Sequence, residues 1–152
     1  MTPSILLSLC SSIAITTVPS FAGAAPTSVR SYACIISNTT PLTFDAADNN
    51  TSYAQDGRAS FRITCAHTQT TIVSLMYSHR MRSTTQGGEL SYDLYSTPNH
   101  SLVWGSGSDG VAVSETVRGG TSTIVYVYAR IPAHQAPLSG QFSDRIDIVT
   151  IP

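Results

Sequence analysis

Lysine is absent from this 152-residue chain, and charge of either sign is scarce. Eight arginines and nine carboxylates amount to 11% of it, for a formal net charge of -1. The arginines are scattered and balanced by acids, so no basic stripe exists for nucleic acid to follow. Long apolar runs are missing too. The most apolar stretch, residues 5–18, is laced with Ser and Thr and is too short to cross a bilayer as a helix. Helical periodicity with caps does not persist beyond a few residues. Catalytic signatures are lacking as well. Ser, His and Asp all occur, but no G-x-S-x-G elbow presents a nucleophile and the carboxylates do not pair for acid–base work. His67, His79, His100 and His134 fall in four separate loops or strand ends without a shared spacing. That distribution predicts surface histidines and neither metal nor cofactor. An enzyme has no residue to rest on here.

The amino terminus is more informative. The apolar run ends at Pro19, and Phe21-Ala22-Gly23-Ala24-Ala25 follows. Small residues at Ala22 and Ala24 make a cleavage site before Ala25, so residues 1–24 read as an export signal. No Lys or Arg precedes the run, and the alternative is a buried amino-terminal strand or helix. Cys10 does not make a lipoprotein, because Leu9 stands where a small residue is needed. Cys34 and Cys65 remain after cleavage, and an even count in an exported chain argues for a disulfide over two buried thiols. Without CxxC or HxxxH spacing they cannot fill a zinc shell.

What fills the rest of the chain is β-sequence. Runs rich in Val, Ile, Thr and Tyr recur between Gly, Pro, Asn, Asp and Ser clusters, as in an all-β sandwich or barrel. The expected strands are 31–37, 42–44, 58–65, 70–77, 89–95, 102–104, 111–117, 122–131 and 141–151. Alternation in 58–65 puts Ala59, Phe61, Ile63 and Cys65 inward; in 122–131 it groups Val125, Val127, Ala129 and Ile131. In the closing strand Phe142, Asp144, Ile146 and Ile148 share one face, and Ser143, Arg145, Asp147, Val149 and Ile151 the other. Near Ile148 both faces are apolar, so this terminal strand is expected to need a neighbour that nothing after it supplies. The glycine-rich stretch 105–110 precedes no helix and reads as a β-turn cluster rather than a phosphate loop. Trp104 reads as core packing. Asn38, Asn50 and Asn99 open N-x-S/T triplets, a pattern common by chance.

Several words occur in order along this frame: Arg80-Met81 after a strand; Leu90-Ser91-Tyr92-Asp93-Leu94-Tyr95; Val103-Trp104-Gly105; Arg130-Ile131-Pro132 with Gln135; and Gly140 with Phe142 and Asp144. Together they resemble the spore coat protein U domain, the family of Csu-type subunits of archaic chaperone–usher pili. The resemblance covers roughly residues 34–151. It implies an incomplete immunoglobulin-like β-sandwich lacking its final strand, with a disulfide matching Cys34 and Cys65. It also implies completion of that sandwich by a donor strand from a periplasmic chaperone, then, at the outer-membrane usher, from another pilus subunit. This chain departs from the family where Asp45 follows Phe44, at Ala129 and His134 in place of glycine, and in its Ile-Pro ending.

On this reading residues 34–152 are the domain and 25–33 a short amino-terminal extension. Ile146, Ile148, Val149 and Ile151 are expected to border the acceptor groove, with Val29 and Tyr32 in a donor segment that is short and weakly alternating. The expected function is an exported, non-enzymatic, non-integral-membrane structural subunit of a surface fibre for adhesion and biofilm formation. Two rival readings are a self-contained secreted coat or matrix protein and a carbohydrate-binding module using Tyr92, Tyr95, Tyr126 and Tyr128.

Overall fold

A computed structural model describes residues 8–11, 34–44, 53–84, 87–135 and 142–151. Among them the regular elements are all strands: β1 (Ser8–Ser11), β2 (Cys34–Ser37), β3 (Thr43–Phe44), β4 (Gln55–Cys65), β5 (Gln69–Met76), β6 (Arg80–Ser83), β7 (Glu89–Ser91), β8 (Asp93–Tyr95), β9 (Val113–Val117), β10 (Ser122–Ile131), β11 (Phe142–Ser143) and β12 (Arg145–Ile151). One sheet runs β1-β12-β5-β9. A second runs β2-β4-β10-β8 with β3 beside β4, and a small third runs β11-β6-β7.

The two larger sheets enclose one core, an immunoglobulin-like sandwich. Period-2 alternation delivers Ala59, Phe61, Ile63 and Cys65 from β4, and Val125, Val127, Ala129 and Ile131 from β10, into that core. The two strands pair antiparallel over their whole length, Ser122 opposite Thr64 and Ile131 opposite Gln55. From the other sheet come Val73, Leu75, Val117, Ile146 and Ile148. Trp104 is buried and donates Nε1–H to the Val73 carbonyl at 2.9 Å, so its one polar group is satisfied.

Cys34 and Cys65 are bonded, and they are also register partners, so the disulfide staples β2 directly onto β4. Glycine is needed at Gly57, opposite Phe44. A Cβ there would lie 2.7 Å from the Thr43 carbonyl oxygen. In the 105–110 turn, Ser106 donates both its N–H (3.0 Å) and its hydroxyl (2.8 Å) to Asp109. Those bonds, the backbone one foremost, hold the Asp109 carboxyl down to about 2.

Four expectations need correction. The stretch 80–83 is a strand, β6, where the sequence reading has only a motif. The single strand expected over 89–95 is broken at Tyr92, and the closing one at Asp144, because at each the chain passes from the small sheet into one of the larger two. Residues 102–104 make only isolated bridges, Tyr95 to Val103 and Trp104 to Val111. His79 and His100 are half-buried rather than free surface groups, with His79 Nδ1 2.9 Å from Asp93 Oδ1 and His100 Nε2 3.7 Å from Asp56 Oδ1.

Candidate functional site

β12 is the edge on which the sandwich is left to close. On its inner side it pairs antiparallel with β5, Ile148 opposite Leu75 and Ile151 opposite Ile72. On its outer side lies β1, parallel and only four residues long, from Ser8 beside Arg145 to Ser11 beside Ile148. The closing strand is expected to need a neighbour that nothing after it supplies, and the one beside it comes from earlier in the chain. It has one because its outer N–H and C=O groups form a ladder template, and a charge-free stretch of the same chain extends along it.

Several groups position this edge. At its start Asp144 accepts from the Tyr92 hydroxyl at 2.7 Å, the Ser78 hydroxyl at 2.8 Å and the Ser78 N–H at 3.2 Å. These bonds pin the point where the chain leaves the small sheet and enters the large one. Burial, reinforced by the Asp144 carboxylate, pushes the Tyr92 hydroxyl far above its ordinary value, so it stays a donor at any physiological pH. At the end of β12 the buried Thr71 hydroxyl donates to the Ile151 carbonyl at 3.0 Å. Ser78 and Thr71 carry no sequence signal for these tasks.

The four groove residues divide between two faces. Ile146 and Ile148 are fully buried and form the floor at this edge, whereas Val149 is half-buried and Ile151 is 52% exposed. The last two therefore lie on the outer face, where Ile72 and Met76 of β5 are exposed as well. Val29, Tyr32 and Gly140 lie outside the described residues.

The other motif residues shape the frame. Arg130 makes a two-pronged ion pair with Asp56 (2.7 and 2.8 Å), and this hydrogen bonding holds the Asp56 carboxyl below its ordinary value. Gln135, three residues after Pro132, pairs through its side-chain amide with both backbone groups of Ser91, each at 2.7 Å, extending β7 as a strand would. Met81 is in the core, Leu90 packs against it, and Arg80 pairs with Glu89 at 3.0 Å on the surface. Gly105 sits so close to Gly110 that a Cβ on it would lie 2.8 Å from the Gly110 backbone. Tyr95 meets His100 edge-on.

The four tyrosines of the carbohydrate reading do not form one platform. Tyr92 is buried and Tyr95 is turned to His100. Tyr126 and Tyr128 do line a cleft of about 220 Å³ with Trp104, Val113, Glu115 and Ile124. However, the Arg58 guanidinium lies 4.7 Å over the Tyr126 ring, so one face of that ring already carries a cation. Among the described residues no group of three or more His, Cys, Asp or Glu could hold a metal ion. No helix among them is long and apolar enough to cross a membrane.

The spore coat protein U domain matches residues 22–149, most of the chain. This chain belongs to the spore coat protein U domain family. The family is structural rather than enzymatic. No curated protein matches the sequence. Among solved structures, this spore coat protein U domain is similar to a chain of the CsuC–CsuE chaperone–tip adhesion subunit pre-assembly complex, from the archaic chaperone–usher Csu pili of Acinetobacter baumannii. The TM-score is 0.56 at 21% identity, over 78% of this chain. The match spans only 39% of that chain's length. At that identity the likeness carries the fold alone, a β-sandwich.

Proposed function

We propose that this spore coat protein U domain is an exported structural subunit of a chaperone–usher surface fibre, completed by a strand that another polypeptide donates. The observation that carries the reading is the outer edge of β12. Two core residues, Ile146 and Ile148, lie on a strand paired antiparallel over 147–151 on one side and with a four-residue segment on the other. β-Augmentation fits such an edge: main-chain bonds supply affinity, and alternate side chains filling the groove supply specificity. The partners are then a periplasmic chaperone, the outer-membrane usher and other pilus subunits. Residues 1–24 serve as the export signal. Display at the cell surface, in adhesion and biofilm formation, is the end of that route. Within 25–33, Val29 and Tyr32 belong to whatever strand this subunit donates onward.

Co-expression of the mature chain, residues 25–152, with and without its periplasmic chaperone tests the proposal. Recovery of a one-to-one complex only with the chaperone, and detergent-resistant ladders when usher and sister subunits are added, is the expected result. A stable soluble monomer without any partner would overturn it and favour the self-contained secreted protein.

A further inference from the structure

The side of the sandwich opposite β12 is open as well. β9 pairs only with β5, and β10 has β8 beside it only over 128–130, so among the described residues 122–127 have no strand on that side. The cleft of about 220 Å³ lies between these two edges, and Glu115 is the single charged residue lining it. Register sets its direction. Glu115 stands opposite Thr71 and Val113 opposite Val73, and both of these β5 residues are fully buried. Directly opposed residues share a face, so β9 turns a carboxylate toward the core side, between Val113 and Val117. Glu115 is half-buried, and among the described residues it makes no ion pair or hydrogen bond. A carboxylate beside apolar walls loses hydration without return unless a donor reaches it. Arg58, the cation over Tyr126, belongs to the outward face of β4 and leaves Glu115 unneutralised. An inward charge can guard an edge strand against pairing. Guarding needs only the charge, however, whereas here an aromatic cleft stands in front of it.

From this placement we propose that the β9–β10 cleft binds a small organic ammonium ion, its apolar body against Trp104, Val113 and Tyr126 and its N–H donors on the Glu115 carboxylate. Trp104 spends its Nε1–H on the Val73 carbonyl and so offers the cleft only apolar ring surface. Tyr126 and Tyr128 add rings of the kind that favour a cation nearby. Size narrows the ligand further. The cleft exceeds the ~150 Å³ that admits a benzene and falls short of the roughly 300–1,000 Å³ of pockets for drug-sized molecules. One ring or short alkyl chain with a charged head fits, and an oligosaccharide does not. The site is separate from strand donation, because β5 stands between β9 and β12.

Phenethylammonium, 2-phenylethanol and 3-phenylpropanoate share one body and differ only in the head group. Each is titrated calorimetrically into the exported chain, alone or in its chaperone complex, whichever is isolated, with the chaperone by itself as the blank. Trp104 is the only tryptophan, so its fluorescence reports occupancy when the chain is alone. The ammonium should bind one-to-one and about tenfold or more tighter than the alcohol, the worth of one charge-assisted hydrogen bond, with the carboxylate weakest. Glu115→Gln should bring the ammonium down to the affinity of the alcohol. Glu89→Gln, which removes the same charge from β7, should leave the order unchanged. The order of the three head groups in the parent decides the matter even if Glu115→Gln does not fold. Equal binding of ammonium and alcohol, or a preference that survives Glu115→Gln, would overturn the site. Binding of none of the three would overturn it too and leave Glu115 as a guard of the β9 edge. None of these results bears on the fibre reading, which chaperone dependence decides.

Discussion

Tyr92 donates its hydroxyl hydrogen to Asp144 Oδ2 at 2.7 Å, joining the break between β7 and β8 to the break between β11 and β12. Each residue lies where its chain segment leaves the small sheet for a larger one, and the bond ties the two crossings together. Asp144 also takes both donors of Ser78, so one carboxylate sets the angle at which the acceptor edge enters its sheet.

Removing the tyrosine hydroxyl and removing the carboxylate should differ. Tyr92→Phe loses one hydrogen bond to a charged acceptor and should cost about 1.5–3 kcal/mol. Asp144→Ala removes the acceptor of the Tyr92 hydroxyl and of the Ser78 N–H, while the Ser78 hydroxyl keeps the Arg80 carbonyl at 2.6 Å, and should cost more. Urea unfolding of both variants measures the order; a costlier Tyr92→Phe would contradict it.

The split of the groove residues between two faces makes a second prediction. Ile148→Ala empties core volume and should cost about 2–5 kcal/mol. Ile151→Ala, on the exposed face, should fall within roughly 0.5 kcal/mol of the parent. Chaperone capture should survive Val149→Ser and fail for Ile146→Asp, as read by pull-down from co-expressing cells. Equal loss in both would place the donated strand elsewhere.

The disulfide closes a loop with a sequence separation of 31. On the chain-entropy relation its reduction should remove roughly 3–4 kcal/mol. The unfolding midpoint with and without reductant reads this directly, with Cys34→Ser/Cys65→Ser as the control that reductant should not shift.

Acid should act through the 105–110 turn. The Asp109 carboxyl is held down to about 2 from an ordinary 3.8, chiefly by the Ser106 N–H and then its hydroxyl. The unfolded chain therefore binds the proton first as pH falls. The turn's contribution is complete above 3.8 and is lost on the way down to about 2. Unfolding midpoints across this window should fall less steeply for Asp109→Asn than for the parent. Parallel slopes would refute the assignment.

The strand-bearing character of the chain, its turn cluster at 105–110, the inward sets of β4 and β10, the Cys34–Cys65 pairing and the family were all legible in order and spacing. Each depends on neighbours in sequence or on a family's spacing: period-2 alternation and turn chemistry are local, and the cysteine pair is what remains of three once Cys10 is set aside with the expected export signal. The breaks at Tyr92 and Asp144, the strand β6 and the half-buried state of His79 were not legible. They arise from contacts between residues far apart in the chain, such as the 52 positions from Tyr92 to Asp144. Alternation also placed Ile148 and Ile151 on opposite faces, but only the pairing of β12 with β5 decided which face is core. The same holds for the closing strand's need of a neighbour. Its apolar faces were written in the sequence, whereas the partner beside it, β1, was decided by tertiary structure, because an open ladder is satisfied by whichever backbone can reach it.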